Sequence, residues 1–222
     1  MRPCAVFDLD GTLIDSVPLF ATIINAMLAE RGAVFRVTEA DARPHATAGG
    51  AAMVSALLKE HCGDVAAALT DFRRRYASLP TPADSLYPGV TRALTELTDE
   101  GIALAVWSNK PQHLCDKVFA DLGMTGLFAG VVGTSDEVPL KPDPTGLDRA
   151  LAAAGGGRSA CCFVGDSDAD HESARRAGVP FVMITHGYGD YARSWDGAVM
   201  VDRFAAVPDA VRTLLRREAR VP

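Results

Sequence analysis

From Tyr87-Pro88-Gly89 onward the chain alternates short apolar runs with amphipathic stretches, and that alternation predicts a parallel sheet covered by helices on both faces. A helix from Val90 to Glu100 is stopped by Gly101 and followed by the strand Ile102 to Trp107. Pro111 opens the next helix and Gly123 ends it. Further strands are expected near Gly130-Val131-Val132, Cys161 to Val164, Phe181 to Ile184 and Ala198 to Val201, with a last helix from about Pro208 to Arg217. Gly155-Gly156-Gly157 reads as a helix-ending loop, because no helix opens directly after it.

The first apolar run, Ala5-Val6-Phe7, stands apart from this series. A parallel crossover needs only a dozen or more residues, yet about eighty lie between that run and Tyr87. The intervening stretch has helical spacing throughout. One helix begins near Val17 and carries Phe20, Ile24, Met27 and Leu28 toward Gly32, and Thr38 with Asp41 forms a helix-start box interrupted by Pro44. Met53, Val54, Leu57 and Leu58 mark another helix, and Asp64 caps one running to about Ala77, before the linker Pro80-Thr81-Pro82. The expected organisation is therefore an α/β, doubly wound core of residues 1–15 and 85–222, with a helical insert of residues 16–84 that follows the first strand as a lid.

Four expected strand ends carry polar residues. Asp8 and Asp10 follow the first run, and in extended backbone they project from the same side while Leu9 points away. Two acids at the end of a buried strand are poorly tolerated unless they hold a cation, share a proton or attack something. Gly11 allows a sharp turn, and Thr12 offers a hydroxyl and an N–H to that turn or to an anion. Ser108-Asn109-Lys110 precede the helix opened by Pro111, where they form an anion site or simply cap that helix. Lys141 lies among prolines and is one of four lysines set against eighteen arginines, a compact charge suited to phosphate oxygens. Gly165-Asp166-Ser167-Asp168-Ala169-Asp170 follows the run ending at Val164. Asp166 is placed to share a hard cation such as Mg²⁺ with the first pair, and Asp170 to orient Lys141 or a metal-bound water. In a doubly wound sheet, ligands bind outside this edge.

This set resembles the haloacid dehalogenase superfamily of phosphohydrolases, whose motifs are DxDGT, a Ser/Thr strand end, a Lys and an acidic GDxxxD turn. Asp15-Ser16, Tyr87-Pro88-Gly89-Val90, Ser108-Asn109-Lys110, Lys141-Pro142, Gly165-Asp166-Ser167 with Asp170, and Gly187-Tyr188-Gly189 look most like phosphoglycolate phosphatases. The resemblance implies a Rossmann-like core with the first strand at its centre and a helical cap at residues 16–84. It implies Asp8 as nucleophile, Asp10 as acid and base, and Mg²⁺ held by Asp8, the Asp10 backbone carbonyl and Asp166. Lys141, Ser108 and Asn109 would hold the phosphoryl oxygens, with Thr12 beside them. Dehalogenases of the superfamily lack an acid at the position of Asp10, so phosphate-ester chemistry on a small phosphorylated metabolite is expected, through an aspartyl phosphate. A sugar-phosphate mutase uses the same core, and a catalytically idle binding protein on this fold is the alternative from another class. Arg43, in Arg43-Pro44-His45-Ala46-Thr47-Ala48-Gly49-Gly50, is a candidate for a substrate carboxylate, the alternative being an ordinary interhelical loop.

The rest of the composition narrows the partners. A net charge of −6 argues against nucleic acid, and no segment approaches the roughly 20 apolar residues that cross a bilayer, so a cytosolic protein is expected. Five cysteines with no paired spacing read as reduced core residues, and five histidines with no ligand spacing read as surface or capping groups.

Overall fold

The computed structural model describes residues 2–192 and 195–218. The chain divides into two compact units, residues 1–15 with 83–222 and residues 16–82.

The first unit is built on a parallel sheet of β1 (Cys4–Phe7), β2 (Ala103–Pro111), β3 (Gly130–Thr134), β4 (Cys161–Gly165), β5 (Phe181–Ile184) and β6 (Val199–Val201). Their order is β3-β2-β1-β4-β5-β6, all pairs parallel. The chain winds outward from β1 to β3 on one side, then restarts at β4 on the other side of β1. The switch point of this Rossmann-like fold is thus the crevice between the carboxyl ends of β1 and β4, where side chains are reached from above without strand cover.

Alternation along the strands sorts the sheet into two apolar faces. On one, Cys4, Val6, Ala103, Ala105, Trp107, Cys161, Phe163 and Phe181 pack with Leu147, Ala150 and Leu151 of the helix Thr145–Ala153 and with Ala174 and Ala177 of the helix Asp168–Ala177. The other face carries Phe7, whose ring stacks 6.1 Å from Phe204, ahead of the final helix Val207–Glu218. Cys161 and Cys162 face opposite sides, all five cysteines are buried, and none is in a disulfide. Burial raises the Cys4 thiol to about 12, so it stays a packing group.

Two local features differ from the sequence expectation. β2 runs through Ser108-Asn109-Lys110 to Pro111, with a register shift against β3 between Trp107 and Pro111, and the next helix starts at Gln112. Its N-cap is Pro111, with no side-chain cap bond, so neither Ser108 nor Asn109 caps it. Register shifts at a strand end can re-aim side chains, and this one falls on the three polar residues at the carboxyl end of β2.

The second unit contains the helices Val17–Glu30, Glu39–Ala42, Gly50–Leu58 and Val65–Ser78. Thr38 and Asp41 cap each other's backbone, and Asp64 accepts the Ala67 N–H at 2.8 Å, as their positions predict. Phe20, Phe72 and Tyr76 form its aromatic centre, with Phe20 5.7 Å from Phe72 and 6.1 Å from Tyr76. Arg43 lies on the 3₁₀ turn Arg43–His45, where Pro44 ends the helix before it.

Candidate active site

Asp8 is the first residue beyond β1, and its N–H still bonds the Val164 carbonyl at 2.9 Å, so the β1–β4 ladder fixes its backbone. Its carboxylate meets the Lys141 ammonium at 2.5 Å. The same ammonium reaches Asp170 at 2.7 Å. Asp170 occupies the third position of the helix Asp168–Ala177, and its other oxygen accepts the Ser167 backbone N–H at 3.1 Å and the Ser167 hydroxyl at 2.5 Å. The acidic turn is therefore a capping box whose acid also anchors the lysine. Asn109 fixes the other end of that lysine, because its side-chain oxygen accepts the Lys141 N–H at 2.8 Å.

Asp166 is 1% exposed and is held from two sides. The Thr12 hydroxyl donates to one oxygen at 2.9 Å and the Tyr188 N–H donates to the other at 2.7 Å. Thr12, expected beside the phosphoryl group, is instead fully buried, with its hydroxyl committed to Asp166 and its N–H directed at the Leu9 carbonyl within the turn. Gly11 has φ +90, and a Cβ there would strike the Asp166 carboxylate and the Tyr188 ring. Only glycine fits that position.

Asp10 has a different partner. Its carboxylate pairs with Lys110 at 2.9 Å and stays outside the closest acidic group, which is Asp8, Asp166 and Asp170. Any share of Asp10 in a cation site would therefore fall to its backbone carbonyl. Ser108, 1% exposed, accepts the Lys110 N–H on its hydroxyl oxygen at 3.2 Å, which leaves the hydroxyl proton to donate. Lys110 and Tyr188 both lie in motifs the sequence displays, but sequence reasoning gave neither a partner of its own. The glycines beside Tyr188 were the available signal, since a Cβ at either Gly187 or Gly189 would collide with Asp166.

Charge in the crevice does not balance. One ammonium, Lys141, faces three buried acids whose oxygens lie within 4.8 Å of one another. Burial pushes Asp8 up to about 7, with Lys141 pulling the other way and Asp170 adding to the rise. Burial also holds Asp166 well above the usual carboxylate range, with Asp170 and Asp8 reinforcing it. Lys141 is disfavoured as a cation by burial, but Asp170 and Asp8 outweigh that and raise it. A buried surplus of carboxylate oxygens is the donor set a hard divalent cation takes, so these residues fit Mg²⁺.

The model of haloacid dehalogenase-like hydrolases matches residues 3–178. The chain is 34% identical over 203 residues to phosphoglycolate phosphatase of Xanthomonas campestris pv. campestris, spanning 89% of this chain and 91% of that one. Among solved structures, a protein described as a predicted phosphoglycolate phosphatase from Haemophilus somnus 129PT matches with a TM-score of 0.78 and 25% identity, over 94% of this chain and 97% of that one. A variant of CbbY from Rhodobacter sphaeroides, in complex with xylulose-1,5-bisphosphate, matches in fold with a TM-score of 0.73 and 21% identity, over 92% and 96% of the two chains. No helix among the described residues is long and apolar enough to cross a membrane.

Proposed function

The chain belongs to the haloacid dehalogenase-like hydrolases and is a phosphoric monoester hydrolase, and we propose that it cleaves a small phosphorylated metabolite by passing the phosphoryl group through Asp8. The observation that carries this reading is Lys141 bridging Asp8 and Asp170 at the sheet's switch point, with Asp166 alongside. Asp8, Asp166 and the Asp10 carbonyl would hold Mg²⁺, which when bound offsets the repulsion between a carboxylate and a phosphate dianion.

Asp8 forms the bond to phosphorus as the bond to the ester oxygen breaks, and Asp10 donates its proton to the departing oxygen. In the second half Asp10 takes a proton from water as the water oxygen attacks phosphorus, and Asp8 is released with inorganic phosphate. A carboxylate attacks without help from a base, whereas alkoxide departure and water attack both need a proton carrier, which is why the two acids divide the work. Lys141 neutralises charge on the phosphoryl oxygens, and the Ser108 hydroxyl and Asn109 amide donate to them. The 2.8 Å bond between the Asn109 oxygen and the Lys141 backbone leaves the amide N–H groups for that purpose.

The relatives named phosphoglycolate phosphatase support a phosphorylated small acid as substrate, and CbbY binding a sugar bisphosphate supports a phosphorylated sugar as the next class. Arg43 is proposed to meet a substrate carboxylate, a reading that rests on its residue type and loop. The test is phosphate release from phosphoglycolate, other small phosphorylated acids and sugar phosphates with Mg²⁺, using Asp8→Asn as the blank. Turnover should fall by about 10⁴-fold or more in that variant; release at the unaltered rate would refute the assignment.

A further inference from the structure

Among the described residues Trp107 is the largest fully buried side chain, and its indole N–H has no hydrogen-bond partner there. It follows Ala103 and Ala105 on the same face of β2, so the strand widens abruptly at the level of the site. Space for it is made at Gly146, where a Cβ would land on the indole. An orphaned buried donor destabilises the fold, and an aliphatic side chain would fill the volume without that cost. The tryptophan must supply something an aliphatic group cannot.

What lies over its ring is the Lys141 ammonium, 5.0 Å from the Trp107 centroid and 5.2 Å from that of Phe163. The two rings are 5.7 Å apart with 32° between their planes. Lys141 is thus enclosed by Asp8 and Asp170 on the polar side and by two π faces on the other. A third carboxylate in place of the rings would hold the ammonium but spend its charge. A purely aliphatic wall would strip its water and return nothing. An aromatic face attracts the cation while leaving its N–H groups to the acids and to the phosphoryl oxygens.

We propose that Trp107, with Phe163 beside it, is a positioning residue that fixes the Lys141 ammonium between Asp8 and Asp170 through its ring face. The inference rests on the role given to Lys141 in phosphoryl transfer. With an aryl phosphate and Mg²⁺, Trp107→Leu should lower kcat about tenfold with KM little changed, and Trp107→Phe should recover most of that loss. A second readout needs no turnover. Trp107 and Trp195 are the two tryptophans of the chain, so in Trp195→Phe protein all tryptophan emission comes from Trp107, and adding Lys141→Gln should change its intensity. Equal kcat in the Leu and Phe variants, or emission indifferent to Lys141→Gln, overturns the proposal. If Asp8→Asn is inactive while the Trp107 variants match the unaltered enzyme, the positioning role falls alone. If Asp8→Asn is fully active, the reading of the whole site falls with it.

Discussion

Asp8 and Asp10 stand two residues apart, each against a lysine, yet the two pairs are built differently. Lys141 is 2% exposed in its side chain and is gripped by Asp8, Asp170 and two aromatic faces. Lys110 is similarly covered, but Asp10 keeps 18% of its side chain in contact with solvent. A nucleophile must attack from one fixed point, and the deep cluster immobilises Asp8 through its backbone ladder, its lysine and a capping box. A proton carrier must meet a leaving oxygen and then a water molecule, and the open margin suits Asp10 to both. One strand end thus supplies a rigid acid and an accessible one.

Separating the two half-reactions tests that division most strongly. Asp10→Asn should lower steady-state kcat by about 10²–10⁴-fold on an alkyl phosphate, the range general acid–base catalysis supplies. With p-nitrophenyl phosphate, whose leaving group needs little protonation, the same variant should release a burst of nitrophenol and then stall, because water attack still lacks its base. Rapid-quench measurement of the burst decides it. A variant that loses the first step and the second equally on the aryl ester would mean that Asp10 does not divide its work in this way.

The acids in this contrast could be picked out from the sequence, and the reason is local. Asp8, Asp10 and Asp166 were legible because each ends an apolar run, where an acid has no packing role. Asp170 was legible as the orienter of Lys141 because it falls in the first turn of a helix that opens at the same edge. The helices of the second unit follow from apolar spacing and from caps such as Asp64, which need only neighbouring residues. The pairing of Lys110 was not legible because its partner Asp10 lies a hundred positions earlier and the two meet only through the fold. Thr12 was given a role toward phosphate because its true acceptor, Asp166, is brought near only by the β1–β4 pairing. Tyr188 acts through a backbone N–H, which every residue but proline carries.

The deep cluster should also show itself in stability without substrate. Asp8 is raised to about 7 by burial, and Asp166 is held well above its usual range by burial and its acidic neighbours. Between their ordinary range near pH 4 and these raised values, the metal-free folded protein binds more protons than the unfolded chain, so its stability must fall as pH rises through about 7. Lys141 is raised above its usual range, so its contribution is lost only at higher pH. The salt-bridged surface acids Glu30, Asp71, Glu100 and Glu172 are lowered, and theirs is lost only as pH drops below about 4. In EDTA the melting temperature should therefore decline from pH 5 to pH 8, and Mg²⁺ should raise it by several degrees more at pH 8 than at pH 5. Thermal melts in both conditions check this, and a Mg²⁺ shift independent of pH would contradict it.

The smallest effect sharpens the comparison from the other pair. Lys110→Met removes one partner from an acid that can turn toward water, so its cost in stability should stay within about 1 kcal/mol, as for partly exposed ion pairs. Lys141→Met instead leaves buried acids facing each other without their cation, and breaking a buried pair costs about 3–5 kcal/mol. In activity, the freed Asp10 carboxylate samples more rotamers and spends less time aimed at the reacting oxygen. A loss of about tenfold in kcat with KM unchanged is the expected size of such misplacement. Denaturant titration and steady-state kinetics on the two variants separate the cases. Equal destabilisation would show that Lys110 belongs to the rigid half of the site. An unaltered kcat in Lys110→Met would show that Asp10 finds its working position through the turn at Gly11 and the bond from the Gly11 N–H to the Ile14 carbonyl at 2.8 Å, with no help from its lysine.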